Sequence, residues 1–136
     1  MKILVCGSRD WSNRRVIKQA LLKLPKEGTI IVHGGATGAD SIADDIARKA
    51  GFEVRVYPVT EEDWAEHGKS AGPRRNSHMI RMEHSDKQGV PINLVLAFTP
   101  NLDRSRGTKD MVQKARKAGI KVEVIGVDQP TSVEGA

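Results

Sequence analysis

Short β-branched apolar runs alternate along this chain with stripes of apolar residues at helical spacing, and that alternation limits the fold more than any other feature. The strand-like runs are "KILVC" (Lys2 to Cys6), "TIIVH", "FEVRVYP", "INLVLAF" and "KVEVIGV". Between them, "NRRVIKQALLKL" sets Val16, Ile17, Ala20, Leu21 and Leu24 on one face, with Ser12 or Asn13 as cap and Pro25 as stop. A second stripe, Ile42, Ala43, Ile46, Ala47 and Ala50, is closed by Gly51. "TEED" from Thr60 reads as a capping box, "GPRRNSHMIRMEH" as a helix begun by Pro73, and "GTKDMVQKARKAG" as a last helix with Met111, Val112, Ala115 and Ala118 turned inward. Strand and helix in alternation require parallel strands, because each helix carries the chain back across a sheet face. The predicted fold is α/β, a doubly wound parallel sheet of about five strands with helices on both faces.

With 136 residues the chain suits one domain, and 38% apolar with 29% charged residues is too hydrophobic for a disordered one. Residues 1–127 are expected to form that domain and 128–136, "DQPTSVEGA", a flexible tail. No apolar run reaches the ~18 residues of a membrane span, and "MKILVC" is too short for a signal peptide, so a cytoplasmic protein without membrane contact is expected. Cys6 alone builds no disulfide framework and reads as a small core residue. His33, His67, His78 and His84 lack zinc-site spacing, so neither metal nor cofactor is expected. A net charge of +5 favours anionic partners without separating a nucleotide from a nucleic acid.

In an open parallel sheet, the strand-to-helix loops leave the carboxyl edge, and ligands bind in the crevice where strand order reverses. Four loops, "GSRDW", "GGATGAD", "GKSAGPRRN" and "TPNLDRSRGT", should therefore meet and bring Arg9, Lys69, Arg74, Arg75, Arg104, Arg106 and Lys109 to one rim. Glycines let amide N–H groups approach a ligand, and a helix start adds partial positive charge; tight turning and close helix packing would use the same glycines. Amides, dipole and guanidinium forks together favour an anion, phosphate above all. The expected ligand-binding set is Gly7, Ser8 and Arg9 from the first loop, Gly34, Gly35, Gly38 and Asp40 from the second, Arg75 and Asn76 from the third, and Gly107 and Thr108 from the fourth. In this scheme Gly34, Gly35 and Gly38 cradle phosphate with Gly107 and Thr108, Arg9 and Arg75 pair charge, and Asn76 supplies an amide contact.

Ser8 also reads as a turn serine bonded to backbone. Asp40 reads either as an acid facing the crevice or as a residue that complements the helix dipole. Trp11 and Trp64 stand by the rim, each able to stack on a base or to cover the end of the sheet. Two sharper motifs fail. A G-x-G-x-x-G fingerprint would need glycine where His33 stands, and a P-loop would need lysine after Gly38, where Ala39 and Asp40 follow.

The combination "GSRDW", "HGGATGAD", "DWAEHGKSAGPRRNSHM" and "RGT" resembles the YspA/YpsA-related branch of the SLOG superfamily over roughly residues 1 to 125. Its most specific part is A-G-P-x-R-N-x-x-M, matched by Ala71, Gly72, Pro73, Arg75, Asn76 and Met79. The resemblance implies a Rossmann-like domain that binds nucleotides or nucleotide-derived ligands, with relatives acting as sensors in stress or conflict systems. "GGATGAD" is similar to the S-G-G-A-x-G-I-D signature of the DNA-processing protein A family, which binds single-stranded DNA. "RSRGT" resembles a remnant of the P-G-G-x-G-T-x-x-E loop of LOG-type phosphoribohydrolases, but Met111 stands where that family has its glutamate, with Asp110 one position earlier. On a helix one position is a turn of about 100°, so Asp110 would need another register.

Three functions follow as expectations: binding of a phosphorylated nucleotide-like ligand, with Asp40 and Asp110 as candidate acids should it be turned over by an N-glycosidase or nucleotide hydrolase, or binding of single-stranded DNA. The resemblance also admits a homodimer associating through helices.

Overall fold

The computed structural model describes residues 1–84 and 90–126; the expected tail lies outside the described residues. The strands are β1 (Lys2–Gly7), β2 (Ile30–His33), β3 (Glu53–Val56), β4 (Leu94–Phe98) and β5 (Val122–Ile125). The helices are α1 (Arg14–Leu22), α2 (Ala39–Ala50), α3 (Glu61–His67), α4 (Ala71–Glu83) and α5 (Arg106–Lys117). All five strands are parallel, in the order β3-β2-β1-β4-β5. The chain winds outward from β1 to β3, then crosses back to lay β4 on the other side of β1. Strand order thus reverses between β1 and β4, which is where a doubly wound sheet opens a crevice.

Side chains along a strand alternate between faces, and β1 shows it directly. Ile3 and Val5 pack with Ile17 and Leu21 of α1 and Ala43, Ile46 and Ala47 of α2; Leu4 packs with Met79 of α4 and Met111 and Ala115 of α5. Both faces are therefore covered, and each fully buried Ile, Leu or Val contributes about 1.5–3 kcal/mol. Asn13, not Ser12, caps α1, its Oδ1 accepting the Val16 amide at 3.3 Å. Thr60 and Asp63 form the expected capping box, and Gly51 closes α2 at φ 90°.

Three boundaries differ from expectation. Helix α4 begins at Ala71, out of a 3₁₀ turn at Gly68–Ser70, so Pro73 sits inside the first turn rather than opening it. That turn tolerates proline because its amides have no helical acceptor. Ile92 is buried although β4 starts at Leu94. Ala118 is exposed: α5 ends at Lys117, Gly119 takes φ 79°, and the buried side chain is Ile120, whose amide reaches Ala115 O at 2.9 Å.

One polar cluster lies within the α4-bearing face. Lys2, only 2% exposed, places Nζ 2.9 Å from Glu83 Oε1 and donates to the carbonyls of Glu83 and Val90, each at 2.9 Å. Glu83 also accepts from Arg55 Nη1 at 2.9 Å and from the Tyr57 hydroxyl. Burial would raise the Glu83 carboxyl, but hydrogen bonds from Tyr57 and Lys2, with Arg55, hold it below the usual range. Burial and Glu83 push the Tyr57 phenol up to about 12. Among the described residues no helix is long and apolar enough to cross a membrane.

Candidate functional site

A cleft of about 820 Å³ opens at the carboxyl edge, lined from the ends of β1 and β2 by Val5 through Asp10 and by Gly34, Ala36 and Asp40. The segment after β3 adds Trp64, Lys69, Gly72, Pro73, Arg75, Asn76 and Met79; that after β4 adds Arg104 through Thr108 and Met111. Its volume is within the range of small-molecule sites. Arg9, Lys69, Arg75, Arg104 and Arg106 face two carboxyl groups, Asp10 and Asp40, so the lining is cationic. Arg74 and Lys109, expected at the rim, are not in the lining, and Lys109 pairs instead with Asp103 at 3.2 Å.

Of the predicted ligand set, Gly7, Ser8, Arg9, Gly34, Asp40, Arg75, Asn76, Gly107 and Thr108 line the cleft; Gly35 and Gly38 do not. The glycine loop explains why. The amides of Gly34 and Ala36 both donate to Asp40 Oδ2 at 3.2 Å, and that of Gly35 donates to His33 Nδ1 at 2.9 Å. Those donors are occupied within the protein. Because Nδ1 accepts, the His33 proton is on Nε2, which bonds Asp44 Oδ1 at 2.8 Å.

Gly38 has φ 77°, and a Cβ there would overlap the carbonyl oxygens of Ser8 and Arg9; the Ala39 amide already reaches Ser8 O at 3.1 Å. Loop one therefore roofs the start of α2. Of the two uses open to these glycines, Gly38 serves close packing. Gly7 does likewise, since a Cβ there would strike Phe98 O and Ala39.

The amino end of α5 is built differently. Ser105 is its N-cap but makes no cap bond with its side chain. Its Oγ lies 2.8 Å from Ser8 Oγ and 2.6 Å from Thr99 Oγ1, and Ser8 donates to Thr99 at 2.7 Å, so three hydroxyls close a ring across the strand reversal. Ser8 is thus bonded to side chains, not to backbone through its hydroxyl as a turn serine would be. The first helical amide bond is that of Lys109 to Ser105 O. Among the described residues no side chain caps the amides of Arg106, Gly107 and Thr108, and all three residues line the cleft.

Arg75 and Asn76 hold this arrangement together. Arg75 Nη1 donates to Gly34 O at 2.5 Å and Tyr57 O at 3.1 Å, and Nε donates to Asn76 Oδ1 at 3.0 Å. Asn76 Nδ2 donates to Gly107 O at 3.2 Å and Asp110 Oδ2 at 3.0 Å. Both Asn76 donors are spent on α5, so its side chain buttresses the helix end. Asp110, also paired with Lys114 at 2.8 Å, is outside the cleft lining. Burial, seconded by Arg9, lowers the Arg75 guanidinium against Asp40, and burial pushes the Cys6 thiol up.

The tryptophans separate. Trp11 is 2% exposed and packs its ring 5.8 Å from that of Phe98, with Nε1 donating to Asn13 O. Trp64 lines the cleft at 42% exposed, on α3, which buries none of its residues. Sequence reasoning missed Thr99 and Ser105, whose hydroxyls carry no periodic or motif signal; only the pairing of β1 with β4 makes them neighbours of Ser8.

The chain is 40% identical over 135 residues to the Gene 61 protein of Mycobacterium phage D29, covering 95% of this chain and 98% of that protein. In fold it is similar to the X-ray structure of DNA processing protein A from Streptococcus pneumoniae, with a TM-score of 0.53 and 18% identity. That likeness covers 99% of this chain but only 62% of the other, so the chain spans less than two thirds of that protein. The family model described as YspA, cpYpsA-related SLOG matches residues 1–67, which hold the first two loops of the cleft, while "AGPRRNSHM" follows beyond the match. By these matches the chain belongs to the YspA, cpYpsA-related SLOG family.

Proposed function

We propose that the cleft binds a nucleotide or a nucleotide-derived phosphorylated ligand, as the small-molecule end of a sensor. The carrying observation is the uncapped amino end of α5, whose first residues line the cleft together with Arg9, Lys69 and Arg104. In this reading the phosphate takes the amides of Arg106, Gly107 and Thr108, and the helix dipole adds to the guanidinium charge. Gly34 shapes the wall rather than cradles phosphate, because its amide is given to Asp40, while Arg75 fixes the wall through Nη1 and Nε and pairs its charge with the ligand through Nη2. The Trp64 indole offers a face for the base. Titration calorimetry with the ribonucleoside 5′-monophosphates tests this: micromolar to millimolar binding is expected, weakened at least tenfold in the Arg104→Ala, Arg106→Ala double variant. A folded protein that gives no heat with any of them overturns it.

A second reading, hydrolysis of the same ligand, draws on Asp40 alone, a buried carboxyl in the cleft whose affinity for a proton burial raises, as suits a general acid. Asp110 has no part in it, being engaged with Asn76 and Lys114. Chromatography of the same mixtures decides: released base or phosphate marks an enzyme, and unchanged ligand marks a binder. DNA processing protein A is a named DNA-processing protein, and a single-stranded DNA reading predicts oligonucleotide affinity that falls steeply with salt. A cleft of about 820 Å³ with one exposed tryptophan favours a mononucleotide over an extended strand.

A further inference from the structure

The Asp40 carboxyl is divided by its hydrogen bonds into two unlike oxygens. Oδ2 accepts the amides of Gly34 and Ala36, each at 3.2 Å. Oδ1 is buried and has no hydrogen-bond partner among the described residues. The residue is 5% exposed and lines the cleft.

An ionised carboxylate spreads its charge over both oxygens, so ionised Asp40 would hold half a charge on a buried atom that nothing donates to, an unfavourable state. A neutral acid avoids it. With Oδ2 fixed as an acceptor by two amides, the proton falls on Oδ1. The surrounding groups do not supply a donor instead. Arg75 on α4 directs Nη1 to Gly34 O and Tyr57 O and Nε to Asn76; His33 on β2 accepts through Nδ1 and bonds Asp44 through Nε2. Cys6 on β1 is a buried thiol, and Arg9 in the following loop acts on Arg75.

We propose that Asp40 meets the cleft as a neutral carboxylic acid and donates its Oδ1 proton to an acceptor oxygen of the bound ligand. Burial acts in the same direction, raising the Asp40 carboxyl against the opposing influence of His33, the Ala36 amide, Arg75 and the Gly34 amide. The role rests on the nucleotide-binding function proposed above and adds to it both a selected feature, an acceptor oxygen directed at loop two, and a proton linkage. Ligand affinity should fall once Asp40 ionises, because a bonded donor is replaced by a negative oxygen facing an acceptor.

Asp40→Asn is the discriminating variant. Its side-chain oxygen can still accept both loop amides, and its NH₂ group takes the place of the acid proton. Calorimetry with the ribonucleoside 5′-monophosphates is run from pH 7.5 to 9, where their phosphate stays dianionic. Wild-type affinity is expected to fall as Asp40 ionises, by at most about tenfold per pH unit, and any such fall is absent from Asp40→Asn, which has no proton to lose there. An infrared carbonyl band of a protonated acid, present in wild type at pH 7 and lost in Asp40→Asn, is expected alongside, without any ligand. No such band, a fall in affinity with pH that Asp40→Asn shares, or a loss of more than about tenfold in Asp40→Asn at pH 7.5 overturns the donor role and leaves the binding function standing. Absence of binding by wild type and Asp40→Asn alike removes both.

Discussion

Gly38 and Glu83 show how far a single residue's environment, rather than its type, sets its part in this protein. Gly38 stands where an L side chain would be strained twice, by φ 77° and by the carbonyls of Ser8 and Arg9. Gly38→Ala is expected to destabilise the fold by about 2–4 kcal/mol in chemical denaturation, well beyond an ordinary glycine-to-alanine change. Glu83 is the partner of a lysine that is itself 2% exposed. Glu83→Gln leaves Lys2 as a buried charge short of its counter-ion, at a cost of about 3–5 kcal/mol by the same measurement. A loss below about 1 kcal/mol would mean that Arg55 and Tyr57, rather than the Lys2 pair, carry the cluster.

Among the elements, α5 brings an uncapped amino end to the cleft and α4 braces that end. Asn76 spans them, with Oδ1 on Arg75 and Nδ2 on Gly107 O and Asp110. Asn76→Ala should cost about 1–3 kcal/mol of stability, since it leaves buried polar groups unpaired. It should also weaken ligand binding, because the first turn of α5 loses its brace although no ligand contact is removed. Equal affinity in a destabilised Asn76→Ala protein would show the brace irrelevant to the cleft. Helix α3 is the opposite case, an element without a buried residue that sets Trp64 at the mouth. Because Trp11 is sealed against Phe98, a ligand-induced change in intrinsic fluorescence should come from Trp64 and vanish in Trp64→Phe, with the Trp11 emission unchanged.

Over the whole molecule, two buried carboxyls impose opposite pH slopes on stability. Glu83 titrates below its ordinary value of 4.5 in the folded protein, so its contribution is complete above that pH and is lost as pH falls through the folded value. Asp40 is raised above its ordinary value of 3.8, so the fold gains from its proton at low pH and loses that gain as pH rises toward the folded value. Denaturation midpoints measured from pH 3 to 8 should therefore lose their steep acid limb in Glu83→Gln. They should lose their decline on the less acidic side in Asp40→Asn. Unchanged profiles in both variants would place the titrating groups elsewhere.

Periodicity was enough to determine the number and kind of the elements, because alternating and helical burial patterns are written residue by residue and a helix returning to a parallel strand leaves little choice of architecture. It also determined that loops one to four share an edge, and hence most of the cleft lining. What only the tertiary structure decided is which polar groups there are already taken. The bond from Arg75 to Gly34 O joins residues 41 apart, that from Ser8 to Thr99 residues 91 apart, and that from Lys2 to the Glu83 carbonyl residues 81 apart. Hydrogen-bond saturation is a property of neighbours in space, each donor being spent once, so a glycine loop that reads as an open cradle closes on its own aspartate while the plainer "SRGT" turn keeps its amides for the cleft.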